Sequence, residues 1–84
     1  MFPGVARAHR NLNRALGLVV RRHRERACLS QEGLADACDR HRTYISILER
    51  GLKSPSLDTI VALAGALGVR PHVLVKEAEE EART

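Results

Sequence analysis

Hydrogen-bonding side chains are concentrated in one short stretch of the chain, between Gln31 and Arg50. Around Ile45 this stretch carries Arg42, Thr43, Tyr44 and Ser46. Most of these side chains donate or accept hydrogen bonds, and on a helix they would point away from an apolar stripe. An exposed helix with such a face predicts non-covalent recognition of a polar partner.

The other residue types that do chemistry are scattered along the chain. Its four histidines and two cysteines lack zinc-finger spacing, so we expect no metal site. There is no glycine-rich phosphate loop and no nucleophile motif, and 84 residues leave little chain for a closed pocket. The sequence therefore predicts neither an enzyme nor a bound cofactor.

Cys28 and Cys38 each lie among apolar neighbours, and we expect both thiols to be free and packed. Residues 1–10 carry charge and do not resemble a signal peptide. No stretch approaches the roughly 20 apolar residues of a membrane span. These features predict a cytoplasmic protein with no membrane association.

Helical periodicity dominates the rest of the sequence, and no segment alternates like a strand. Apolar residues recur at helical spacing from Leu12, which predicts a first helix over 12–27. Residues 1–11 form an N-terminal extension that is either disordered or an extra helical turn. Ser30 is a natural N-cap for a second helix over 31–37, and Asp39 begins the break that follows it.

Three further helices complete the predicted fold. The third begins at His41 or Arg42, buries Ile45 and Leu48, and ends at Arg50–Gly51. The fourth covers 57–67 and is apolar nearly all round, and the fifth begins at Pro71. Residues 77–84 are an acidic tail that extends the last helix or frays. The sequence thus predicts an all-α, compact bundle of five short helices, with its domain over residues 12–76.

Charge is distributed unevenly along the chain, which has a net charge of +4. Residues 1–53 contain 11 basic and 5 acidic residues, for a net charge of +6. Residues 54–84 contain 3 basic and 5 acidic residues, for a net charge of −2. A basic first half is consistent with a polyanionic partner, although a solvated basic surface is an equal alternative on charge alone.

Several pieces of the sequence, in order, resemble the phage-repressor-like, Cro-type (XRE) helix-turn-helix family over about residues 16–74. The pieces are Leu29-Ser30-Gln31-Glu32 with Leu34-Ala35, then residues 43–51, Pro55-Ser56-Leu57, Leu63-Ala64 and Ala66-Leu67-Gly68-Val69. The run over 42–46 is also similar to the controller proteins of restriction–modification systems. The resemblance implies a lambda-repressor-like fold, with the second and third helices as the helix-turn-helix and the third in the DNA major groove.

The resemblance also implies a role for individual residues. Arg42 and Thr43 would reach base edges, and Ser46 and Ile47 would meet bases or a thymine methyl group one turn later. Phosphate or backbone contacts would come from four further positions and fix the register of the protein on DNA: Gln31, Arg50, Lys53 and Ser54. Tyr44 would hold the DNA backbone.

Arg24 and Glu49 resemble the internal ion pair of the family, between the first and third helices. Its loss should affect folding more than recognition. Three assignments have an alternative that the residues themselves leave open. Tyr44 could cover the edge of the core, Gln31 could cap the second helix, and Ile47 could belong to the core.

The sequence departs from the family pattern at three positions. Asp39 stands where the turn usually has glycine. If this position needs a positive φ, aspartate tolerates it less well than glycine but better than most residues. His23 replaces a core leucine and is expected to be partly buried. Gly33 weakens the second helix slightly because glycine is a poor helix former.

The partners implied are double-stranded DNA, with a palindromic operator, and a second copy of the chain in a homodimer. Val73, Leu74 and Val75, together with exposed apolar atoms of the fourth helix, are the candidate dimer interface. No small-molecule effector is evident. The resemblance implies a sequence-specific DNA-binding transcriptional regulator, either a repressor or an autoregulator. The alternative function is an antitoxin-like module that also binds a partner protein, with residues 77–81 as the partner-binding segment.

Overall fold

The helices of the computed structural model begin and end close to the caps that the sequence supplies. The structure describes residues 5–83, and side chains over residues 11–83. In chain order the helices are α1 (Val5–Arg26), α2 (Gln31–Ala37), α3 (Arg42–Glu49), α4 (Leu57–Leu67) and α5 (Pro71–Ala82). Residues 5–83 contain no strand. The predicted all-α fold of five helices is confirmed.

Side-chain caps define the starts of three helices. Ser30 Oγ accepts from the Gly33 N–H at 2.9 Å, and Ser56 Oγ accepts from the Thr59 N–H at 3.1 Å. His41 caps α3 in the same way, through its ring nitrogen. Each bond satisfies an N–H group that has no partner inside its own helix.

The first helix begins at Val5, earlier than the residue 12 that periodicity predicts. Apolar periodicity reports only the part of a helix that packs on a core, and residues 5–11 lack such a stripe. Residues 1–4 of the predicted extension lie outside the described residues. The 11/12 boundary of the predicted domain therefore falls inside one continuous helix.

The acidic residues 77–81 form the last turns of α5, which reaches Ala82. Ala78 is buried among them, and two of the carboxylates pair with α1: Glu77 with His23 at 2.8 Å and Glu81 with Arg22 at 2.7 Å. His23 is partly buried, as expected. The 76/77 boundary also falls within a helix, because this segment packs on the bundle.

The core is built from aliphatic side chains of all five helices. Seven of them are the largest fully buried side chains: Val19, Val20, Leu34, Ile45, Leu48, Leu63 and Leu74. Burial of Leu74 corrects its assignment to a dimer interface, since it packs inside the bundle. On α4, Leu57 and Val61 are 74% and 53% exposed, so this helix is buried on fewer sides than its composition predicts.

The two thiols occupy different environments, and both are free. Cys38 is buried and its Sγ donates to the Leu34 carbonyl oxygen at 3.1 Å. Cys28 is exposed, which corrects the prediction that both are packed. It lies in the turn after α1, where its φ is 58°.

No single helix within residues 5–83 is long and apolar enough to cross a membrane. Only α4 and α5 taken together reach that length and apolarity, and they are bent by 101° at their junction. Leu63 and Leu74, from these two helices, are fully buried in the bundle.

Candidate nucleic-acid interface

The turn between α2 and α3 gives the two helices their relative orientation. Asp39 adopts a φ of 56°, the left-handed conformation for which glycine is usual. The Arg40 N–H then donates to the Ala35 carbonyl oxygen at 2.8 Å, which closes the end of α2. Ala35 is buried, so a small residue stands where α2 meets its neighbours.

Two buried residues fix which side of α3 faces the core. Ile45 and Leu48 have no exposed surface. Because residues four apart lie above one another on a helix, positions 42, 46 and 50 form one row and positions 43 and 47 the next. Arg42 and Thr43 are exposed, and Ser46 and Ile47 are half-buried. The sequence-predicted recognition residues therefore lie on neighbouring rows of α3.

The sequence leaves open whether Ile47 belongs to the core or to the DNA-reading surface. Its side chain is half-buried, which is intermediate between the two. Tyr44 is also half-buried, and the Lys53 ammonium lies 5.7 Å from the centre of its ring. A cation at this distance is attracted to the ring face. The contact connects α3 to the loop that carries Lys53 and Ser54.

Three cations on this part of the surface are available to a polyanion. Arg42, Arg50 and Lys53 are exposed, and none of them forms an ion pair with a carboxylate within the described side chains. The Arg50 Nε lies 3.4 Å from the Ser46 carbonyl oxygen of its own helix, a long contact. This surface combines unpaired positive charge with a row of hydrogen-bonding groups.

An ion pair at the last residue of α3 holds that helix on α1. The Arg24 Nε donates to Glu49 Oε2 at 2.6 Å, and its Nη2 donates to Glu49 Oε1 at 3.1 Å. A further guanidinium nitrogen donates to the Leu29 carbonyl oxygen at 2.9 Å. The hydrogen bonds with Glu49 raise the pKa of Arg24, against the opposing effect of burial.

Gln31 belongs to the same cluster in the free protein. Its Nε2 donates to Glu49 Oε1 at 3.1 Å, so the first residue of α2 is tied to the last residue of α3. The side-chain cap of α2 comes from Ser30. The cap that the sequence left open for Gln31 is therefore provided by its neighbour.

Arg40 is an orienting residue that the sequence did not single out. Its Nη2 donates to Thr59 Oγ1 at 3.0 Å. Its Nη1 lies 3.3 Å from the Cys38 carbonyl oxygen and 3.2 Å from that of Asp39. These bonds connect the turn to α4. The sequence holds no local signal for this contact, since Thr59 is 19 residues away.

Gly17 is a second residue whose structural role the sequence analysis does not single out. A glycine in mid-helix is the feature of the sequence that could have indicated it. A Cβ atom there would lie 2.5 Å from the Glu49 carbonyl oxygen and 2.6 Å from that of Leu48. Gly51 has a φ of 74°, and its Cβ would lie 2.7 Å from the Arg14 Cα. Backbone thus meets backbone where α1 crosses the end of α3.

No group of three or more metal-ligating side chains comes together within the described part of the chain. The arrangement of α2 and α3 offers a surface for binding.

Comparisons with known proteins agree with this geometry. A helix-turn-helix domain family model matches residues 15–78. Control protein C.BamHI of Bacillus amyloliquefaciens is 47% identical over 66 residues, which cover 77% of this chain and 82% of that protein.

Two solved structures are similar throughout the bundle. The clp gene regulator ClgR from Corynebacterium glutamicum has a TM-score of 0.82 at 30% identity, covering 86% of this chain and 77% of that one. The restriction-modification controller protein C.AhdI from Aeromonas hydrophila has a TM-score of 0.71 at 38% identity, covering 73% and 92% respectively.

Proposed function

Because the chain belongs to the helix-turn-helix domain family, it is a DNA-binding transcriptional regulator, and we propose that it reads its operator with α3. The family resemblance inferred from the sequence is confirmed, and so is the expectation that the protein is not an enzyme. Its similarity to two control proteins supports a controller-type regulator.

This proposal rests on the side of α3 that carries Arg42 and Thr43, which are exposed, and Ser46, which is half-buried. A helix is about as wide as the major groove, so such a surface meets base edges there. Arg42 forms no ion pair within the described side chains, and its guanidinium can donate to the two acceptors of guanine. Thr43 and Ser46 add shorter donors and acceptors. We assign these three residues to sequence reading, with Ile47 beside them.

The flanking groups are assigned to the DNA backbone. Arg50, Lys53 and Ser54 are exposed around the row, and contacts of this kind fix register without reading sequence. Tyr44 holds the Lys53 ammonium near α3. Gln31 lies at the start of α2 and donates to Glu49. It either keeps this bond and supports α3, or exchanges it for a hydrogen bond to a DNA phosphate.

We further propose that the protein acts as a homodimer on a palindromic operator. One such domain spans only a few base pairs, and two-fold symmetric sites need two copies about one helical turn apart. The exposed apolar residues of α4 and α5, Leu57, Val61 and Val75, supply a surface for that contact. Leu74 is excluded from the interface because it has no exposed surface.

The antitoxin-like alternative has less support. It requires an acidic segment that is free for a partner protein, whereas Glu77 and Glu81 pair with α1. Glu79 and Glu80 remain exposed at the end of α5, which suits a solubilising role.

A salt titration tests the proposal that this surface binds DNA. Affinity for a random duplex should fall linearly on logarithmic axes as salt increases, because cations released from phosphates drive binding. Lys53→Ala should reduce the slope by about one. Binding that does not change with salt would contradict the proposal.

A further inference from the structure

The imidazole of His41 has a defined proton position. Its Nδ1 accepts the N–H of Thr43 at 3.0 Å. A backbone amide only donates, so Nδ1 carries no proton in this arrangement. The single proton of the neutral ring therefore resides on Nε2, and capping of α3 fixes the tautomer.

The Nε2 donor of His41 is open to solvent. The side chain is exposed, and within the described residues its only hydrogen bond is the one through Nδ1. His23 differs in this respect, because its Nε2 lies 2.8 Å from a carboxylate oxygen of Glu77 and is partly buried. His41 thus presents a directed donor that has no partner among the described side chains.

This donor stands immediately before Arg42 and Thr43, the residues proposed to read bases. We infer that His41 is a DNA-contacting residue, whose Nε2–H donates to a phosphate oxygen at the edge of the groove that α3 enters. The inference rests on the proposed function. The capping bond already holds the ring in one orientation, so binding would lose little rotamer entropy.

The place of His41 at the N-cap of α3 favours a phosphate oxygen as the acceptor. The N-cap lies outside the helical row that carries the reading side chains. About half to two-thirds of protein–DNA hydrogen bonds go to phosphate and sugar, and these contacts are independent of sequence. The contact should therefore strengthen binding to all duplexes alike.

The tautomer also predicts an unusual salt signature. A neutral donor displaces no counterion, so its loss lowers affinity without changing the dependence on salt. Lys53 is a charged group, and its removal changes that dependence. The two kinds of phosphate contact are distinguishable in one titration.

The test is His41→Ser, because serine keeps the N-cap acceptor and lacks the outward N–H of the ring. We expect an unchanged midpoint of thermal unfolding. Affinity for random duplex and for a selected operator should each fall about three- to tenfold, which corresponds to one neutral hydrogen bond. The slope of affinity against salt should equal that of the original protein at pH 8.

His72→Ser is the matched control, since His72 is an exposed histidine on α5. It should leave affinity unchanged. Independently, imidazole ¹⁵N shifts should show a proton on Nε2 and none on Nδ1 of His41, with the Nε2 signal moving when duplex is added.

Three results would overturn the inference while leaving the proposed function standing. One is His41→Ser binding as tightly as the original protein. A second is a smaller salt slope, which would identify a charged contact, and a third is a loss confined to one base position, which would identify a base contact. Failure of the original protein to bind any duplex would overturn both proposals.

Discussion

Arg24 and Glu49 form a two-point ion pair that joins α1 to the last residue of α3. The Nε–Oε2 distance is 2.6 Å and the Nη2–Oε1 distance is 3.1 Å. The side chain of Arg24 is 12% exposed and that of Glu49 is 4% exposed. Gln31 donates to the same carboxylate. The pose of the proposed recognition helix thus depends on a polar cluster that lies away from its reading row.

Removing one member of this pair should destabilise the protein strongly. Glu49→Ala leaves the guanidinium without its carboxylate in a largely buried position, a change that costs about 3–5 kcal/mol. The free energy of unfolding from urea titrations measures the effect. Glu25→Ala is the control, since Glu25 pairs with Arg21 on the surface, where a pair contributes about 0–1 kcal/mol. Equal losses in the two variants would contradict the structural role of Glu49.

Two helical glycines should respond oppositely to alanine. At Gly17 the new Cβ would meet the Glu49 and Leu48 carbonyl oxygens, so Gly17→Ala should destabilise by about 1–3 kcal/mol despite its better helix propensity. At Gly65 a Cβ meets nothing within 4 Å. Gly65→Ala should therefore stabilise by about 0.5–1 kcal/mol. Thermal unfolding of both variants measures the difference, and a stabilising Gly17→Ala would disprove the close approach of α1 and α3.

The two cysteines should differ in reactivity. Cys28 is exposed, whereas Cys38 is buried and its burial raises the pKa of its thiol. A thiol reagent should modify one cysteine per native chain and two in denaturant, because the thiolate is the reactive form. Fast modification of both in the native protein would contradict the burial of Cys38.

The same thiol should make stability depend on pH. Its native pKa lies above the unfolded value, so the contribution is complete below the unfolded pKa and is lost as pH rises through the native one. Cys38→Ser does not ionise in this range. The difference in unfolding free energy between the two proteins should therefore narrow on the alkaline side, and urea titrations across that range would measure it.

The proposed dimer should be sensitive to α5. Val75→Glu places a charge on an exposed apolar position, at 42% exposure, that we assign to the interface. Leu18→Glu is matched to it at 46% exposure and lies on α1. Sedimentation should show dissociation of the first variant at micromolar concentration and dimers of the second. Unchanged association of Val75→Glu would place the interface elsewhere.

Local features of the sequence predicted most of the fold. Caps at Ser30 and Ser56, and Gly68 at φ 72° after α4, mark helix ends through interactions with near neighbours in the chain. Ile45 and Leu48 fixed the inward side of α3 by spacing alone. Periodicity leaves the start of α1 open because residues 5–11 lack an apolar stripe, and it does not predict the exposure of Cys28, which lies in a turn.

Contacts between distant residues were less predictable. Arg24–Glu49 was identified only through family resemblance, and Arg40–Thr59 and the close approach at Gly17 were not identified. Such contacts depend on how helices pack in three dimensions, which periodicity does not encode. The reading row of α3 was predictable because it is the side left over once the core positions are known.

Selection of bound sequences from random DNA, with the original protein and with Arg42→Ala, tests whether α3 reads the operator. Arg70→Ala is the matched control, since Arg70 is an exposed arginine before α5. We expect a defined site whose preference for one guanine is lost in Arg42→Ala, by about 1–3 kcal/mol, and kept in Arg70→Ala. An identical profile for Arg42→Ala and the original protein would contradict it.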